Sequence, residues 1–152
     1  MSEDKDKKKI TTKQLLSRLL NTLSFDKFIQ RYDNQMEVES FPAYINRLCE
    51  EKDILPAQVI KKVGIDRTYG HQFFNGQRKP NRDKVILLAF GLGLNYTQTK
   101  ELLYKAHKPE LHPKVKRDAA IIFALERGID LVETQNTLEK LGLTPLGNNK
   151  NE

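Results

Sequence analysis

The sequence predicts an all-α protein. Three observations carry this. Apolar residues recur at spacings of three and four from Thr12 onward, N-caps and glycine stops punctuate the chain at short intervals, and no segment alternates as a half-buried strand would. The 152 residues, 38% apolar and 30% charged, suit one small soluble domain with an appendage and are too rich in apolar residues for full disorder. No run approaches the ~18 apolar residues of a membrane span. The opening MSEDKDKKKI leads into no apolar signal core, and Cys49 has no second cysteine to pair with. These features point to a reducing, cytoplasmic location and no membrane partner.

Residues 1–9 read as a disordered charged tail and 10–39 as an N-terminal helical extension. In that extension Leu15, Leu16, Leu19, Leu20 and Leu23 share one helical face, and Ser24 caps a second short helix carrying Phe25, Phe28, Ile29 and Tyr32. Ser40 caps the next helix, with Pro42 in a first turn where its missing N–H costs nothing, and Phe41, Tyr44, Ile45 and Leu48 form the buried stripe. Another helix starts near Leu55 or Pro56, carries Val59, Ile60 and Val63, and stops at Gly64. Asp66 caps the helix after it, which ends at Asn75-Gly76. Two short helices about a tight glycine turn have the layout of a helix-turn-helix, placed here in a domain spanning 40–111.

The chain then repeats. Shifted by 35 residues, segment 82–111 lies over 117–146 without a gap. Arg82/Arg117, Asp83/Asp118, Ile86/Ile121, Ala89/Ala124, Gly93/Gly128, Thr99/Thr134, Leu103/Leu138, Lys105/Lys140 and Leu111/Leu146 coincide. Each copy reads helix, glycine turn, helix, and cannot bury its apolar face alone, so the copies are expected to stack, with 112–146 packed on the core. Residues 147–152 read as a frayed polar tail.

Charge is concentrated. The net charge is +6, and the window 54–84 holds seven basic residues (Lys61, Lys62, Arg67, Arg78, Lys79, Arg82, Lys84) and two acidic ones (Asp66, Asp83), giving +5. A local basic excess favours a polyanion, most simply nucleic acid. Within it, "DRTYGHQFFNG" places Arg67, Thr68, His71, Gln72 and Asn75 on one broad polar helical face, with Ile65 and Phe73 turned to the core. Arg67 can bond guanine bidentately, Gln72 can do so with adenine, and Thr68 suits a thymine methyl or a phosphate. Tyr69 suits phosphate contact or packing, while Arg78, Lys79 and Arg82 lie where backbone phosphates would be met, extended by Lys61, Lys62 and Lys84.

The run "ILPAQVIKKVGIDRTYGHQFFNGQRKP", from Ile54 to Pro80, resembles the helix-turn-helix of the phage-repressor-like XRE/Cro family of transcription regulators. Val59, Gly64, Ile65 and Phe73 fall on core and turn positions of that family, and "FNGQRKP" is similar to its usual ending. The likeness covers residues 41–106 and extends, through the repeat, to a bacterial subgroup with an extra C-terminal helical repeat. It implies a phage-repressor-like fold with added N-terminal helices, and base reading by Arg67, Thr68 and Gln72 with His71 beside them. Three positions depart from the family pattern: Pro56 where glutamine is frequent, Ile60 where a small residue is expected, and Gly70 where a branched apolar residue is expected. A large Ile60 filling the space left by Gly70 would reconcile the last two.

Two functional readings follow. The first is a sequence-specific DNA-binding regulator, a homodimer on double-stranded DNA with the helix 66–75 in the major groove. The second is a protein-interaction adaptor that keeps the fold without reading DNA, favoured by Pro56, Gly70 and Phe73-Phe74 and by extra helices at both ends that offer partner surfaces. An enzyme is not expected: phosphate-binding glycine loops and nucleophile motifs are missing, so no catalytic residue and no cofactor are assigned. His71, His107 and His112 lack metal-ligand spacing.

Overall fold

A computed structural model describes residues 9–147; most of the expected N-terminal tail and residues 148–152 of the C-terminal one lie outside them. Among the described residues there are nine α-helices, one 3-10 turn and no strand. The chain divides into two compact units at Val38 and Glu39. None of these helices is long and apolar enough to cross a membrane.

The first unit holds α1 (Thr12–Asn21), α2 (Phe25–Tyr32) and a 3-10 turn (Asp33–Gln35). Thr11 starts α1 with a reciprocal cap: its Oγ1 accepts from the Gln14 amide at 3.1 Å, and Gln14 Oε1 accepts from the Thr11 amide at 2.9 Å. Ser24 caps α2 through the Lys27 amide, as its position in the sequence implies. Phe28 and Tyr32 are buried with ring centroids 4.9 Å apart, and Arg18 donates to the Tyr32 hydroxyl at 2.8 Å. The leucine face of α1 is only partly used: no residue of α1 is buried and Leu20 is 75% exposed, while Leu23, expected on the same face, lies past the end of the helix and is fully exposed.

The second unit holds α3 (Phe41–Glu51), α4 (Pro56–Lys62), α5 (Arg67–Asn75), α6 (Arg82–Gly91), α7 (Tyr96–Lys105), α8 (Lys116–Arg127) and α9 (Leu131–Lys140). Every α6 residue from Val85 to Gly91 is buried, so a helix apolar all round runs through the centre. Ile45 of α3, Val59 of α4, Phe73 of α5 and Leu102 and Leu103 of α7 are buried in the same core. Gly91 lets α4 and α6 approach closely: a Cβ there would lie 2.8 Å from Val59 Cγ1 and 3.3 Å from the Val59 carbonyl oxygen.

The repeat closes on itself rather than stacking head to tail. Arg82 of the first copy grips Asp118 of the second with two N–H···O bonds of 3.2 and 2.9 Å. Arg117 of the second grips Asp83 of the first at 3.1 and 2.8 Å. The supporting bonds obey the same 35-residue shift. Arg82 also donates to the Pro109 and Glu110 carbonyls, Arg117 to those of Thr144 and Pro145, while Asp118 accepts from the His112 amide and Asp83 from that of Gly147. In a head-to-tail stack of two copies, one Arg and one Asp would be left without a partner. Mutual exchange is the mark of an approximate two-fold axis, the isologous relation of a closed dimer achieved within one chain. Gly147, expected in the frayed tail, is therefore part of this clasp.

Asp83 and Asp118 are only 4% and 5% exposed. Burial raises the Asp118 carboxyl, but the Arg82 guanidinium and the His112 amide outweigh it and hold the group below the usual carboxylate range. Among the described residues no buried side-chain polar atom lacks a hydrogen bond. Phe90, Gly93 and Leu94 and their repeat mates Leu125, Gly128 and Ile129 line one cleft of about 370 Å³.

Candidate nucleic-acid interface

The segment joining α4 to α5 is set by backbone chemistry. Gly64 takes a left-handed φ of 72°, the region glycine enters without a Cβ penalty, and lets the chain leave α4 sharply. Two residues later Asp66 Oδ2 accepts the Tyr69 amide at 3.0 Å and starts α5. Gly76, at φ 84°, ends it, and Asn75 Oδ1 accepts the Gln77 amide at 2.9 Å to fix the turn that follows. At the same end Asn46 of α3 donates its side-chain amide to the carbonyls of Pro42 and Phe74, both at 2.8 Å, which ties α5 to α3.

The inner face of α5 consists of Gly70, Phe73 and Phe74. Phe73 is 1% exposed, as its helical phase implies, and Phe74, whose placement the sequence left open, is also buried. Gly70 lies against Ile60: a Cβ at Gly70 would meet Ile60 Cγ2 at 2.6 Å, Cγ1 at 2.7 Å and Cδ1 at 2.8 Å. The exchange of bulk between positions 60 and 70 thus has a direct physical basis, and it sets the distance between α4 and α5.

The outer face carries the polar side chains. Arg67, Thr68, Tyr69, His71 and Asn75 are exposed, Gln72 is half-buried, and Lys79 is exposed just past the helix. Lys61 and Lys62, exposed at the end of α4, border the same turn. Arg78 is not simply a phosphate-reaching side chain past the helix. Its guanidinium lies 4.2 Å from the centroid of the Tyr69 ring, its Nε–H donates to Gln72 Oε1 at 3.1 Å, and its backbone N–H donates to the Gln72 carbonyl at 3.2 Å. Gly76 marks the stop in the sequence, but which side chain the returning chain meets is set by the path of the turn, which no local signal announces.

Arg82 is the residue the sequence misplaced. It was expected to meet phosphates, yet its guanidinium is held by Asp118 and by the carbonyls of Pro109 and Glu110. The basic surface is correspondingly narrower than the window 54–84 suggests, although its net charge is unchanged: Asp118 added to Arg82 is offset by Arg117 added to Asp83.

Compared with protein-family models, curated proteins and solved structures, the chain finds no match.

Among the described residues no three His, Cys, Asp or Glu side chains are grouped to hold a metal ion. Cys49 is buried, and burial pushes its thiol pKa up, which suits a core residue rather than a nucleophile. Lys105 is likewise committed to packing, with Nζ 3.9 Å from the Tyr44 ring centroid and 3.3 Å from Glu39, whose carboxyl the Arg47 bonds hold down at about 2.

Proposed function

We propose that the protein is a sequence-specific DNA-binding transcriptional regulator of the phage-repressor-like helix-turn-helix type, with α5 entering the major groove. One observation carries this reading. α5 buries its apolar residues on one side, and on the other presents Arg67, Thr68, His71, Gln72 and Asn75, side chains able to meet base edges, with Lys61, Lys62 and Lys79 placed for phosphates. Readers of this shape commonly act as pairs whose recognition helices lie about 34 Å apart, so a homodimer on a palindromic site is the expected assembly. The mutual Arg–Asp contact between the repeat copies is satisfied within one chain, which leaves pairing to other surfaces.

The adaptor reading loses two of its supports. Gly70 is explained by Ile60, and Phe74 is a core residue rather than an exposed contact.

The test is selection of bound fragments from random-sequence DNA at two salt concentrations, repeated with Arg67→Ala plus Gln72→Ala. An enriched motif lost in the double variant is the expected result. Weak binding without a motif, equally salt-sensitive in both proteins, would leave only electrostatic attraction and overturn the reading.

A further inference from the structure

A glutamine free in solution can offer both halves of its amide. In the sequence alone that makes Gln72 an adenine reader, because adenine presents an acceptor at N7 beside a donor at N6, and an unconstrained glutamine matches both. The fold removes that freedom. Arginine is a donor only, so the Gln72 atom facing Arg78 Nε must be the carbonyl oxygen, and turning the amide over would set its N–H groups against a cation. Arg78 is itself fixed before any partner arrives. Its backbone N–H is bonded to the Gln72 carbonyl, and its guanidinium plane lies over Tyr69. Gly76 turns the chain back over α5 to make this possible.

We infer that Arg78 is a positioning residue that fixes the Gln72 amide with its oxygen toward Arg78 and leaves its Nε2 group as the half offered to a base, so that it selects guanine rather than adenine at the base it meets. Guanine offers two acceptors, N7 and O6, side by side in the major groove, and the two N–H groups on Gln72 Nε2 can serve both. Adenine would leave its N6 donor facing a glutamine whose acceptor is already turned to Arg78. The Arg78 Nη groups not used by Gln72 remain available for a neighbouring phosphate, so the same residue would orient Gln72 and hold the backbone beside it. This inference rests on the proposed DNA-reading role of α5.

The test is the same fragment selection, run on the wild-type chain, on Arg78→Met and on Gln72→Glu, and scored column by column. Arg78→Met keeps an apolar side chain on Tyr69 and frees the Gln72 carbonyl. Gln72→Glu keeps an acceptor for Arg78 and deletes the donors. The expected wild-type motif has one column with guanine preferred on the order of tenfold over adenine. That column should move toward adenine in Arg78→Met and flatten in Gln72→Glu, while the remaining columns persist and report an intact fold. A motif whose Gln72-dependent column reads adenine in the wild type, or is unmoved by Arg78→Met, would overturn the inference and leave the DNA-reading role standing. So would a motif in which no column responds to Gln72→Glu. No enriched motif in any of the three proteins would overturn both.

Discussion

The contact between Ile60 and Gly70 makes a quantitative prediction about how α4 and α5 are held together. Alanine at position 70 should gain about 1 kcal/mol of helix propensity over glycine. Against that, its Cβ would lie 2.6–2.8 Å from three atoms of Ile60. Two of those atoms, Cγ1 and Cγ2, are bonded directly to the Ile60 Cβ, so they cannot swing aside as the far end of a long chain would. Ile60 is 2% exposed, and a β-branched residue in a helix has one strongly preferred rotamer. Overpacking of this kind costs about 1–3 kcal/mol, here toward the upper end, so Gly70→Ala alone should be destabilising by about 1–2 kcal/mol. Ile60→Ala alone leaves a cavity and should cost about 2–5 kcal/mol. In the Ile60→Ala background the clash is gone, and Gly70→Ala should then stabilise by about 1 kcal/mol. The sign of one substitution thus reverses with the other, a coupling of about 2–3 kcal/mol. Urea denaturation of the four proteins, followed by circular dichroism, measures it. Additivity within ~0.5 kcal/mol, or the same sign for Gly70→Ala in both backgrounds, would refute the packing argument.

Four further predictions concern the rest of the fold. Asp118→Ala strips the carboxylate from a quarter-exposed Arg82 and should cost about 3 kcal/mol in a denaturation experiment, because breaking a buried pair leaves a charge uncompensated. The same carboxyl gives a pH dependence: its folded pKa lies below the usual 3.8, so its contribution is fully present above that value and is lost as pH falls through the folded pKa. Acid titration of the wild type should show this loss and Asp118→Asn should lack it. His107 adopts a left-handed φ of 58°, where its repeat mate is Gly142 at φ 70°; His107→Gly should raise stability by about 1 kcal/mol, read as a higher denaturation midpoint. Cys49 should resist a thiol reagent in the native protein and react at once in denaturant; rapid native labelling would contradict its burial.

Much of the helical framework is legible in the sequence because the signals act within a turn of where they sit. Ser24, Ser40 and Asp66 cap the helices they precede, and Gly64, Gly76, Gly93 and Gly128 adopt the positive φ that a stop at those points needs. The polar arc of α5 follows from its period, with Phe73 in the core and Arg67, Thr68 and His71 outside. Arg82 fails the same reasoning. Nothing within ten residues of it announces Asp118, and a cation beside a basic helix looks like a phosphate contact until the partner carboxylate is in place. The Gln72–Arg78 bond also depends on how the turn at Gly76 redirects the chain, which a count of side chains on a helical wheel does not contain.

By itself the sequence determined the all-helical class, the positions of the turns, the basic window and the 35-residue repeat. These are written in residue type and spacing, and each is enforced by local sterics or by one buried face. The tertiary structure alone decided how the repeat closes, and hence which charges remain available. Two copies of one helix pair can associate head to tail or about a two-fold axis with the same residues buried. Only the two-fold arrangement brings Arg82 to Asp118 and Arg117 to Asp83 together, and that pairing withdraws one arginine from the candidate DNA surface while leaving Arg67 and Lys79 exposed on it.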